Sequence, residues 1–208
     1  MDFHGRVDAL ARTWQAWAEL GEGLTEEQWG LPSRCPGWDV AALYAHHSAM
    51  PRDLHAAGPP AGEPEGAVLT AAAALRRFNS EGGLAATAGP EVADEAVADA
   101  AATSGRALVE RFTVLGPSVL DRLRSAGPEL RAVWQPGVVL PLSEAVRIVL
   151  LEATVHLLDV RRALGQAPDA PADALTETAA LLAEMAPPVE LIEAATGRSA
   201  VSPLPVLH

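Results

Sequence analysis

The sequence predicts an all-α fold, a four-helix bundle with a short C-terminal helical extension, and three observations carry that expectation. Alanine and leucine dominate while aromatic residues make up only 4% of the 208 positions, a balance that favours helix interiors over the β-branched and aromatic faces of sheets. Apolar residues recur at spacings of three and four in four separate segments. Glycine and proline, 17 of each, gather largely between those segments. Fewer than about a tenth of the residues are expected in strands.

The first segment, Val7 to about Leu20, puts Val7, Leu10, Ala11, Trp14, Trp17 and Leu20 on one face of an amphipathic helix, and Gly21 and Gly23 are expected to stop it. Thr25 stands three residues before Gln28, the spacing of a capping box, which predicts one short turn ahead of a rigid loop, LPSRCPG. A second helix is expected from Asp39, with Val40, Leu43, His47, Met50 and Leu54 on its seam, His46 immediately beside that seam, and Pro51 kinking or ending it. The stretch from Gly58 to Gly89 reads as loop with one short helix, Val68 to Phe78. Helix is expected again from Val92 to Ser125, with a break at Gly116-Pro117 and Val97, Leu108, Phe112, Leu115, Val119 and Leu123 inward.

After Trp134 and a Pro136-Gly137 turn, Ser143 is the expected N-cap of the most strongly patterned helix. Its seam is Val146, Val149, Ala153, His156, Val160 and Ala163, and Gly165 ends it. A further helix, Leu175 to Met185, and a short apolar one ending at Ala195 follow, before the turn Thr196-Gly197-Arg198. Residues 1–166 are thus expected to form the bundle and 167–208 an extension packed on it.

With 27 acidic and 15 basic residues the net charge is −12, a field that repels phosphate backbones and anionic headgroups, so no nucleic-acid partner is expected. The basic pairs Arg76-Arg77 and Arg161-Arg162 are too short to track a backbone and read as solvated helix faces. One cysteine, Cys35, excludes an internal disulfide and suits a reducing compartment. The N-terminus does not read as a signal peptide, and no apolar run is long enough for a bilayer. The expectation is a cytoplasmic protein with no membrane partner.

The chemistry concentrates in Glu152-Ala-Thr-Val-His156. Residues four apart on a helix project side by side, so this carboxylate and imidazole can hold one metal ion, with a third ligand coming from a facing helix. The same spacing also occurs as a plain surface pair. His156, however, falls on the apolar seam, where an unsatisfied polar group costs about 1–3 kcal/mol, and either a metal or a hydrogen bond across helices answers that need. The histidines of the second helix are the available third ligands. No phosphate-binding, dinucleotide-binding, nucleophile-elbow or His-Glu-x-x-His motif is present.

Cys-Pro-Gly-Trp-Asp-Val-Ala-Ala-Leu-Tyr-Ala-His-His at 35–47, followed about a hundred residues later by Leu-Leu-Glu-Ala-Thr-Val-His-Leu-Leu-Asp-Val-Arg-Arg-Ala-Leu-Gly at 150–165, resembles the mycothiol-dependent maleylpyruvate isomerase family within the DinB-like four-helix-bundle metalloenzymes. The likeness spans most of residues 5–200, including Thr196-Gly197-Arg198. It implies a DinB-like bundle whose metal ligands are His46, eight positions after Trp38, with Glu152 and His156. Periodicity alone picks His47, which the resemblance leaves as a packed histidine or one behind the ligands. Asp159 then either orients a ligand imidazole or packs structurally. Trp38 and Trp134 are candidate walls of a thiol-binding pocket, or simply core. Cys35 reads as a buried small apolar side chain with no histidine near it in sequence, and His4, His55 and His208 as exposed.

By the same resemblance the cofactors are a divalent metal, zinc first, and mycothiol as thiol cosubstrate. The metal would turn that thiol into a nucleophile for a small electrophilic substrate, by isomerisation or S-transfer. No catalytic residue beyond the ligands is implied. The 208 residues leave no room after the bundle for the sizeable C-terminal domain of the isomerases themselves, so a thiol transferase fits as well. The alternative class is a non-catalytic, metal-stabilised helical binding or regulatory protein in which the same three residues tie two helices together.

Overall fold

Asp2 opens the first helix: its carboxylate accepts the Gly5 N–H at 2.7 Å, and α1 runs from Phe3 to Glu22 in a computed structural model that describes residues 1–57, 63–199 and 201–207. His208 therefore lies outside the described residues. Gly21 does not stop α1. It lies inside the last turn because a Cβ there would stand 2.4 Å from the Tyr44 hydroxyl and 2.6 Å from Val109 Cγ2, so the residue is small for packing, and Gly23 is the C-cap. The Thr25–Gln28 capping box forms and α2 spans Glu26–Trp29.

The loop that follows is drawn tight. Ser33 N–H donates to the Trp38 carbonyl at 2.9 Å and Val40 N–H to the Leu31 carbonyl at 2.9 Å, with Gly37 at a φ of +83°, a conformation side chains resist. Asp39 accepts the Ala42 N–H at 2.8 Å and launches α3, Val40–Ala57. Pro51 does not end α3. It is buried within the helix, and near the C-terminus of α3 the Leu54 and His55 carbonyls accept from the Arg122 guanidinium.

Residues 58–62 of the expected loop lie outside the described residues, and 63–89 hold more structure than expected. A two-residue strand, β1 (Ala67–Val68), precedes α4 (Ala71–Phe78), and α5 already begins at Leu84 and continues through Gly89-Pro90 to Ala102. Its buried residue is Ala96, while Val97, expected inside, is 47% exposed. The break in the next helical region falls at Thr103-Ser104, where Ser104 caps α6, Gly105–Glu110. At Gly116-Pro117 the chain stays helical. A π-helical turn, Arg111–Leu115, precedes α7 (Gly116–Ser125), and Gly116 N–H bonds the Arg111 carbonyl five residues back. That widened turn accommodates Pro117, which has no N–H to give. Leu108, Phe112 and Val119 are buried as expected.

β2 (Arg131–Gln135) and β3 (Val138–Pro141) form a hairpin about Pro136-Gly137, and the sheet order is β1-β3-β2, with β1 parallel to β3 and β2 antiparallel to it. This small sheet was outside the helical pattern. β3 carries Val138, Val139 and Leu140, all fully buried, and feeds α8, Leu142–Ala163, so Ser143 sits inside the helix rather than capping it. Then come α9 (Ala172–Met185) and α10 (Pro188–Ala195).

α1, α3, α6, α7 and α8 enclose the main core around Trp14, Trp17, Tyr44, Leu108, Phe112, Leu150 and Leu157. A second apolar cluster joins Ala71, Leu75, Leu140, Ile148, Leu151, Leu181 and Met185, from α4, β3, α8 and α9. Trp17 bridges three helices of the bundle: its Nε1 donates to the Ala153 carbonyl of α8 at 2.9 Å, and its own carbonyl accepts the Tyr44 hydroxyl of α3 at 2.9 Å. Among the described residues no helix is long and apolar enough to cross a membrane. Of the basic pairs, Arg76 and Arg77 are exposed, whereas Arg161 is half-buried with its Nε enclosed and without a hydrogen-bond partner.

Candidate metal centre

The facing helices α3 and α8 bring His46, Glu152 and His156 together. One ligand atom from each lies within 4.8 Å of the other two. The His46 and His156 rings meet edge to face with centroids 5.3 Å apart, and His156 Nε2 stands 3.3 Å from Glu152 Oε2. Two ligands bound at about 2.1 Å to one tetrahedral ion stand about 3.4 Å apart, so this pair already has the separation of co-ligands. Trp38 lies against the trio, its ring centroid 4.9 Å from that of His46. Trp134 does not share this position: it packs on Phe78, 5.5 Å between centroids, beside the second apolar cluster.

His47, the residue favoured by periodicity, points the other way. It is 2% exposed and lies between Trp17, at 4.7 Å, and Phe112, at 5.6 Å between centroids. Its Nε2 is buried without a hydrogen-bond partner. Consecutive helical residues are turned about 100° from each other, which is why one histidine joins the core and its neighbour the site. His4 and His55 are exposed, His55 Nδ1 lying 2.7 Å from Ser118 Oγ.

Electrostatics divide the trio into unlike members. Burial, then the nearby His156, push the His46 imidazole down to about 4 against the pull of Glu152, so it is a neutral donor near pH 7. His47 is held well below the usual histidine range, first by burial and then by His156 and His46. In His156 burial also opposes the charge, but the acceptors Asp159, Cys35 and Glu152 around the ring outweigh it and hold the imidazole well above its ordinary value. Burial would raise Glu152, and the hydrogen bond and charge of His156, with the charge of His46, lower it instead. Without a metal the trio is thus an imidazolium–carboxylate pair beside a neutral imidazole.

The other edge of the His156 ring has its own neighbours. Nδ1 is buried with no well-formed hydrogen bond, and Asp159 Oδ2 lies 3.5 Å from it. Asp159 Oδ1 is 3.6 Å from Arg34 Nη1. Cys35, expected to be a small apolar filler, is half-buried, and its Sγ, a ring nitrogen of His156 and an Asp159 oxygen lie within 4.8 Å of one another. The 121-residue separation of Cys35 and His156 hid that pairing from the sequence; a thiol in a Pro-bounded loop was the available hint.

No curated protein matches this chain. The crystal structure of the mycothiol-dependent maleylpyruvate isomerase superposes on it with a TM-score of 0.56 at 15% identity, covering 85% of this chain and 68% of that one. At that identity the likeness is one of fold, and it is the DinB-like helical fold. A family model described as the mycothiol maleylpyruvate isomerase N-terminal domain matches residues 10–161, nearly three quarters of the chain, and the chain belongs to that family.

Proposed function

We propose that the protein is a metal-dependent enzyme: His46, Glu152 and His156 hold one divalent ion, zinc first, and a low-molecular-weight thiol, mycothiol, is used there on a small electrophile, by isomerisation or S-transfer. The observation that carries this reading is the convergence of two imidazoles and one carboxylate from α3 and α8 within 4.8 Å. Two nitrogens and one oxygen suit a borderline ion such as zinc, and three protein ligands leave a position for a fourth partner. When bound, the ion supplies the Lewis acidity that turns a coordinated thiol into a thiolate near neutral pH.

The chain's own residues supply the rest. His46 offers its lone pair without losing a proton, since burial keeps it neutral. Glu152 brings the compensating charge, and His156 must release its proton to become a ligand. Asp159, facing Nδ1, fixes the rotation of the ring. Leu43 and Ala153, fully buried, with half-buried Val149 and the Trp38 face, keep water from competing at the reacting carbon. A cytoplasmic setting, where thiols stay reduced, completes the reading.

The test is calorimetric titration of zinc-loaded and metal-free protein with mycothiol, followed by thiol-consumption assays over a panel of activated alkenes and other electrophiles. Binding and turnover are expected only with metal. Equal or absent binding in both forms overturns the thiol reading and leaves a non-catalytic bundle in which the trio ties α3 to α8.

A further inference from the structure

His156 presents its two nitrogens to two different sets of side chains. Nε2 stands 3.3 Å from Glu152 Oε2, and Nδ1 stands 3.5 Å from Asp159 Oδ2, both close to the roughly 3.4 Å between co-ligands of one tetrahedral ion. Nδ1 is enclosed and makes no well-formed hydrogen bond there, Asp159 Oδ2 standing at the edge of hydrogen-bond reach. Cys35 completes the second set, with Sγ, a His156 nitrogen and an Asp159 oxygen mutually within 4.8 Å. Arg34 lies toward Asp159 Oδ1 and leaves Oδ2 to face the ring.

The loop holds Cys35 in place. Cys35 N–H donates to Ser33 Oγ at 3.1 Å, Ser33 Oγ–H to the Cys35 carbonyl at 3.3 Å, and Trp38 N–H to the same carbonyl at 3.1 Å. The backbone of Cys35 is therefore held where its thiol reaches the ring.

We propose that Cys35, Asp159 and Nδ1 of His156 form a second cation subsite, selective for a soft, thiophilic divalent ion. Thiolate is the softest ligand a protein offers, so cadmium-like ions prefer this edge, while the nitrogen and oxygen set of His46 and Glu152 suits zinc or nickel. A neutral imidazole has one lone-pair nitrogen, so His156 serves one edge at a time and the choice of tautomer decides which. The two ions compete for a single ring. Uptake at the Cys35 edge releases the thiol proton and the Nδ1 proton of the ring to solvent.

Cys35 is the only cysteine in the chain, so a thiolate-to-cadmium absorption band reports this edge alone. Metal-free full-length protein is titrated with cadmium while that band and the reactivity of the thiol toward a disulfide reagent are followed. The wild type is expected to develop the band, saturating at one ion per thiol, and to lose thiol reactivity. Cys35→Ser loses the band, Asp159→Asn requires more cadmium to reach it, and His46→Ala, its fold checked by circular dichroism, keeps it. Cadmium bound to the wild type without the band overturns the proposal. So does loss of the band in folded His46→Ala, which would make Cys35 a fourth ligand of the first centre. A cadmium band with no zinc uptake would sink the first centre and leave this one standing; zinc uptake with no cadmium band would do the reverse.

Discussion

Replacing Gly21 by Ala sets two physical effects against each other. Inside a helix the exchange gains about 1 kcal/mol of intrinsic propensity. At this position the new Cβ would sit 2.4 Å from the Tyr44 hydroxyl and 2.6 Å from Val109 Cγ2, in a core where Tyr44 is fully buried. Overpacking of that kind costs about 1–3 kcal/mol. If Tyr44 moves, its hydroxyl also loses the Trp17 carbonyl at 2.9 Å, a further cost of about 1–3 kcal/mol for a stranded buried donor. The net expectation is a loss of about 2–3 kcal/mol, which lowers Tm by about 5–10 °C in a chain of this size. Urea unfolding and calorimetry on Gly21→Ala and Gly23→Ala together decide it. At Gly23 a Cβ meets only two carbonyl oxygens, at 3.6 and 3.8 Å, so that variant should change stability by less than about 0.5 kcal/mol. An unchanged or raised Tm for Gly21→Ala would show that the close approach of α1, α3 and α6 does not constrain this residue.

The remaining expectations concern charge and ligands. Asp99 accepts from Arg111 at 2.6 and 2.7 Å and from Arg52 at 2.9 Å, and the Arg111 hydrogen bond chiefly, against burial, brings its carboxyl down to about 2. Its stabilisation, at most about 2 kcal/mol and less after solvent screening, is fully present above about pH 4 and lost as pH falls through about 2; denaturant unfolding at pH 6 and pH 3 should show a drop that is smaller in Asp99→Asn than in the wild type, because the lowered carboxyls of Glu152, Asp173 and Glu184 still titrate. His46→Ala and His156→Ala are expected to abolish zinc uptake in metal analysis, whereas His47→Leu keeps it and changes stability by less than about 1.5 kcal/mol, since ring stacking is lost but an unpartnered buried nitrogen goes too. Zinc affinity should fall between pH 7 and pH 5, with proton release on binding, because a proton and the ion compete for the same His156 lone pair; a pH-independent affinity would mean that His156 is not a ligand.

How much was legible beforehand depended on how local the cause was. The Thr25–Gln28 capping box and the Glu152–His156 pair are set by residues at most four apart, and they are where the sequence pattern places them; of the expected α8 seam Val146, Ala153 and Val160 are buried, while Val149, His156 and Ala163 are half-buried and Leu150, Leu151 and Leu157 take the deeper places. The β1–β3 pairing joins Ala67 to Val138 across 71 residues through a two-residue strand with no alternation to read, and Gly21 looked like a stop because its neighbours, Tyr44 and Val109, belong to other helices. Periodicity ranks residues by burial, so it selected His47, which lies deepest, while His46 beside the seam is the histidine that meets His156. A site at the edge of a core is poorly seen by a rule that looks for its centre.

Trp17 sets the gauge of the trio without touching it. Its indole nitrogen is tied to the carbonyl of Ala153, next to Glu152, its carbonyl to the hydroxyl of Tyr44, two residues before His46, and its ring lies on His47. The spacing of α3 and α8 at the trio is thereby referred to a third helix, like the jaws of a caliper fixed from its frame. Whatever occupies the gap between His46 and His156 meets a width chosen in the core, so tolerance for a larger or smaller guest belongs to the packing around α1 as much as to the three side chains that face it.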